Sequence, residues 1–96
     1  MDSVPPRSVA CAIRGPIARN DIRGLCTRIH RAVEEAKADT VICDVTNASP
    51  DMATVEVLAL LQLTARRHGF RVRLGGASSD LLGLITFLGL DEVMLE

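Results

Sequence analysis

The sequence predicts a small α/β domain, a mostly parallel sheet with alternating helices packed on it. Three observations carry that prediction. Apolar, β-rich runs alternate with segments whose apolar residues recur at three- and four-residue spacing. Turn-forming residues, chiefly Gly, Pro, Asn, Asp and Ser, punctuate nearly every junction between them. The chain has 96 residues, 48% hydrophobic and 24% charged, which suits one core rather than two. Strands separated by helical crossovers pair in parallel through right-handed βαβ units.

Residues 1–7 read as a flexible lead-in, and 8–96 as the single domain. Ser8 to Ile13 reads as a strand that Gly15-Pro16 ends. Ile22, Leu25, Cys26, Ile29, Val33 and Ala36 share one face of a first helix. Asn20 or Asp21 is expected to cap it by accepting amide hydrogen bonds. Arg31 and Glu35 stand at i,i+4 on its polar side, where they can pair. Thr40 to Val45 is largely apolar, as expected of a strand covered on both faces. Thr46 to Asp51 is a loop of turn formers. A second helix is expected from Met52 to His68, apolar around most of its circumference, with Asp51 as N-cap and Gly69 as left-handed terminator. Arg71 to Leu74 alternates charged and apolar residues, as in a strand with one wet face near a sheet edge. After Gly75-Gly76, Ser78 or Ser79 caps a third helix holding Leu81, Leu82, Leu84, Ile85, Phe87 and Leu88, and Gly89 stops it. Val93 to Leu95 reads as a last short strand.

Composition narrows the function. The net charge is -1 and the aromatics are two Phe with no Tyr or Trp. Neither a global field for nucleic acid nor a base-stacking platform follows. The start is polar, with Pro5-Pro6, unlike a signal peptide, and no apolar run approaches the ~20 residues of a membrane span. A cytoplasmic protein is expected. The three cysteines, Cys11, Cys26 and Cys43, sit in apolar segments and read as buried free thiols. Cys26 and His30 stand at i,i+4, but Cys26 lies on the apolar face, so a Cys–His nucleophile is not expected. His30 and His68 have no partners at metal-ligand spacing. Arg66, Arg67, His68, Arg71 and Arg73 form a basic cluster that reads as a solvated helix end and strand face. No phosphate-binding glycine loop, triad or carboxylate pair is present. The reading is a non-enzymatic protein with no cofactor and no bound metal.

One stretch is more specific. Val41-Ile42-Cys43-Asp44-Val45 is followed by a loop and by Asp51-Met52-Ala53-Thr54-Val55-Glu56-Val57-Leu58-Ala59-Leu60-Leu61. Then come Gly69-Phe70-Arg71-Val72-Arg73-Leu74 and Leu84-Ile85-Thr86-Phe87-Leu88-Gly89-Leu90-Asp91-Glu92-Val93. The order and spacing of these pieces resemble the STAS family, the domain of anti-sigma-factor antagonists and sulfate-transporter tails. The resemblance runs from about Ala10 to Met94. Gly15-Pro16-Ile17 fits the family's turn before its first helix. Family members typically begin with a two-stranded hairpin, and only one strand is evident here.

The resemblance implies protein binding. Antagonists of this family dock on a kinase-like anti-sigma factor through the start of the second helix. A serine there is switched by phosphorylation, which adds about -1.5 to -2 charge to the docking surface. Aligning Asp51 with the motif aspartate puts Met52 at the serine position, Ala53 next and Thr54 where glycine is usual, so the usual switch is not expected. Thr54 and Ser49 are the remaining candidate phosphate acceptors. Ala18 stands near a position that is often acidic. The implied partner surface is Ile17, Ala18, Arg19 and Asn20 with Asp51, Met52, Ala53, Thr54, Val55 and Glu56, and Thr54→Glu or Met52→Asp is expected to weaken the complex. The expected role is anti-sigma-factor antagonism or a related bacterial signalling function in transcription regulation. Two alternatives stay open: an accessory subunit bound to the ATPase of a phospholipid-transport ABC complex, and a nucleotide- or lipid-binding STAS domain. The leucine-rich second and third helices leave an apolar patch suited to a homodimer.

Overall fold

The computed structural model describes residues 7–91. The elements are β1 (Ser8–Ala12), a single 3-10 turn (Arg19–Asp21), α1 (Ile22–Ala36), β2 (Thr40–Asp44), α2 (Met52–His68), β3 (Arg71–Gly75) and α3 (Ser79–Phe87). The predicted strand at 93–95 and residues 1–6 of the lead-in lie outside the described residues. Arg7 was expected to be part of that lead-in. Instead its carbonyl accepts hydrogen bonds from the amides of Asp39 and Thr40, at 3.0 and 3.3 Å. It is thereby tied to the start of β2.

Three strands pair in parallel in the order β1-β2-β3. The register is even throughout: Val9, Val41 and Val72 stand abreast, as do Cys11, Cys43 and Leu74. These two rows face the helices. Ile13 and Val45 continue the inward row just past the strands, and both are buried. Ile22, Cys26, Ile29 and Val33 of α1 and Val57, Leu58, Leu61 and Ala65 of α2 fill the space above them. Leu81 and Ile85 of α3 join the same cluster. Among the described strands β3 takes the edge position expected from its alternating pattern.

Among the described residues no element covers the other sheet face, which corrects the expectation that β2 is covered on both sides. Ile42, at its centre, is 42% exposed. Ser8, Ala10 and Ala12 of β1 and Arg71 and Arg73 of β3 share that exposed face. The reason is topological. Covering both faces of a parallel sheet requires the strand order to reverse direction at some point. An order that steps one way, with right-handed crossovers, places α1 and α2 on the same face.

The helix ends follow their signals with one exception. Asp51 accepts from the Thr54 amide at 3.0 Å, and Ser78 from the Leu81 amide at 3.1 Å. Gly69 and Gly89 terminate their helices at φ +76° and +72°. The start of α1 differs. Asp21 occupies the cap position but makes no side-chain cap hydrogen bond. The 3-10 turn supplies the entry instead, closed by the Asp21 amide on the Ala18 carbonyl at 2.9 Å. Arg31 and Glu35 do not pair. The i,i+4 contact on that face is His30 Nε2 to Glu34 Oε1, at 3.9 Å.

Candidate docking surface at the start of the second helix

Two loops at the C-terminal ends of β1 and β2 build the candidate site. They are held against each other by close backbone approach. The Gly15 amide donates to the Asn47 carbonyl at 3.1 Å. A Cβ at Gly15 would stand about 2.5 Å from the Ser49 backbone nitrogen, so glycine is required there on space alone. The clamp sets the segment 16–20 beside the start of α2.

The implied partner residues divide into two groups. Ala18, Arg19, Asn20, Met52 and Glu56 are exposed, with Met52 at 51%. Arg19 Nη2 lies 3.8 Å from Glu56 Oε1, joining the 3-10 turn to the first turns of α2. Both ends are well exposed, so the pair is worth no more than about 1 kcal/mol. Beneath it is a depression of about 430 Å³ lined by Arg19, Asn20, Arg23, Glu56 and Leu60. Ile17, Asp51 and Ala53 are half-buried at the border.

Thr54 and Val55 belong to the interior. Val55 is 2% exposed and Thr54 is 0% exposed. The Thr54 Oγ1 has no hydrogen-bond partner among the described residues. A hydroxyl so enclosed is out of reach of a kinase in this conformation. Thr54→Glu would place a charge in the core, so it reports on stability and not on docking. Ser49 is half-buried beside Gly15. The helical pattern of α2 conceals this division. The enclosure of Thr54 and Val55 follows from how α2 docks on α1 and the sheet, which its own apolar pattern does not specify.

Asp44 ends β2 on the open side. It accepts from the Thr46 hydroxyl at 2.6 Å and the Thr46 amide at 3.0 Å. These two bonds hold its carboxyl below the usual carboxylate range, with a smaller contribution from the charge of Arg14.

The tertiary structure also creates neighbours that have no sequence signature. The His30 and His68 rings meet at 4.1 Å between centroids, and Phe70 lies 5.9 Å from His30. Cys11 and Cys43 face each other at 3.3 Å. Arg71 and Arg73, with Ile42 and Thr40, line a depression of about 500 Å³ on the open sheet face. Arg66 and Arg67 are exposed on the last turn of α2 nearby in sequence. Among the described residues, no three His, Cys, Asp or Glu side chains are grouped to hold a metal ion. No described helix is long and apolar enough to cross a membrane.

Comparison with models of known protein families finds no match, and comparison with curated protein sequences finds none either.

Proposed function

We propose that this chain is a non-enzymatic STAS-type domain that regulates by protein–protein contact, as an anti-sigma-factor antagonist or in a related bacterial signalling role. The observation that carries the reading is the apposition of Arg19 and Glu56 at 3.8 Å beside the half-exposed Met52. It joins the 3-10 turn and the start of α2 into one surface, which is the surface the resemblance assigns to a partner. The docking residues in this reading are Ala18, Arg19, Asn20, Met52 and Glu56, with Ile17, Asp51 and Ala53 at the border. Met52 supplies an adaptable apolar anchor, and the charges around it set register and on-rate. With Met52 in the serine position and Thr54 enclosed, docking at this surface does not use the family's usual switch, and Ser49 is the accessible candidate phosphate acceptor.

The test is binding to the kinase-like anti-sigma factors encoded in the same genome. Met52→Asp and Arg19→Glu are each expected to weaken the complex at least about tenfold, or 1.4 kcal/mol, with unfolding midpoints unchanged. Equal affinity in both variants removes the site, and failure of the wild type to bind any such factor removes the role. A second reading is favoured by Met52, which stands where the resemblance places the phosphorylatable serine. An accessory subunit of a phospholipid-transport ABC complex needs no such switch. In that case the same surface binds the ATPase, and the same two variants weaken that complex.

A further inference from the structure

We propose that Cys11 and Cys43 are a redox-active dithiol pair that peroxide converts to an intramolecular disulfide. The proposal is independent of the docking role. It stands on register and contact. Cys11 and Cys43 are direct partners across the parallel β1–β2 pair. Neighbouring strands run about 4.8 Å apart, inside the roughly 4.4–6.8 Å between Cα atoms that a disulfide spans. The side chains already converge, with Sγ to Sγ at 3.3 Å. Closing to a bond of about 2.05 Å needs a movement of little more than 1 Å. β1 is an edge strand held by one neighbour among the described strands, so it can make that movement without displacing a second ladder.

The two sulfurs are not equivalent. Cys43 is completely buried and Cys11 only partly so. With Cys43 as donor, the hydrogen bond between them lowers the Cys11 thiol pKa against the opposing effect of burial. The same bond, and then burial, raises that of Cys43. Cys11 is therefore the attacking sulfur and Cys43 the resolving one, the pairing seen in peroxide-sensitive dithiols generally. Cys26 stands apart, its thiol donating to the Val57 carbonyl at 3.7 Å.

The chemistry balances with hydrogen peroxide as the oxidant. The Cys11 thiolate attacks one peroxide oxygen and the O–O bond breaks. The leaving hydroxide takes the proton Cys11 gave up and becomes water. The resulting Cys11 sulfenic acid is attacked by Cys43 sulfur, the S–O bond breaks, and the second hydroxide takes the Cys43 proton. Two thiols lose two electrons and two protons, and one peroxide becomes two waters.

The test is to treat the folded chain with hydrogen peroxide and count free thiols, with peptide mapping by mass spectrometry. The titre is expected to fall from three to one, with the mass reduced by two hydrogens and a Cys11–Cys43 cross-linked peptide. In Cys43→Ser, Cys11 is expected to be trapped as a sulfenic acid that dimedone labels. In Cys11→Ser, Cys43 stays unlabelled. The proposal is overturned if the wild type keeps three thiols in peroxide that oxidises the urea-unfolded chain. It is equally overturned if Cys11 advances to sulfinic acid without the cross-link, or if the cross-link joins Cys26 or a second molecule. The wild-type measurement stands alone should either variant fail to fold.

Discussion

Thr54 is the one buried polar side chain among the described residues, and its hydroxyl has no partner. An enclosed donor without an acceptor costs about 1–3 kcal/mol relative to the same group in water. Valine has the same shape without that cost. Thr54→Val is therefore expected to raise the unfolding free energy by about 1 kcal/mol, read as a higher urea midpoint with an unchanged m-value. A loss of stability would mean that the hydroxyl is satisfied, by water or by a rotamer change. Asp44 presents the opposite case, an exposed carboxylate with two donors from Thr46. Its folded pKa lies below the unfolded value of about 3.9. Whatever stability it contributes is complete above that value and is lost as pH falls through the folded pKa. In Thr46→Val the carboxyl titration, followed by carbon NMR, is expected to move upward. An unmoved midpoint would show that the hydroxyl is not the principal cause.

Helix ends and turns were legible because their signals are local. Asp51 and Ser78 accept hydrogen bonds from amides three residues on, so the geometry that makes them caps is already present in the spacing. Gly69 and Gly76 both take left-handed backbone, at φ +76° and +74°, but their surroundings differ. A Cβ at Gly69 meets nothing within 4 Å, whereas one at Gly76 would collide with the Thr46 side chain. Gly69→Ala is expected to cost about 1 kcal/mol, the left-handed penalty alone. Gly76→Ala is expected to cost clearly more, because Thr46 must give way and loosen its hold on Asp44. Equal losses in chemical denaturation would show that the β2 and β3 ends are not in contact through this pair. The start of α1 was misread for the same local reason. Asn20 and Asp21 are good cap residues, yet the chain enters through a 3-10 turn because the Gly15–Ser49 clamp dictates the approach of the preceding segment.

Among the described residues the sheet has a helix-covered face and a bare one, and stability is expected to divide along that line. Leu61 is 0% exposed at the centre of the covered side, while Ile42 is 42% exposed on the bare side. Leu61→Ala is expected to cost about 2–5 kcal/mol, and Ile42→Thr, which keeps the β-branch, less than about 1 kcal/mol. Comparable losses in urea titrations would mean that something covers the open face in solution. The candidate docking surface divides in a similar way. Met52 and Glu56 stand on the outward stripe of α2, while Thr54 and Val55 turn toward the core.

Periodicity and turn chemistry in the chain were enough to specify an α/β domain, its three described strands and three helices, and most of its caps. These depend on interactions over a few residues, which the spacing of side chains records directly. Strand order, the bare sheet face, the enclosure of Thr54, and the meetings of Cys11 with Cys43 and of His30 with His68 came only with the tertiary structure. They join residues about 30 or more positions apart. Such contacts are set by how the elements dock on one another, and no local pattern carries that register.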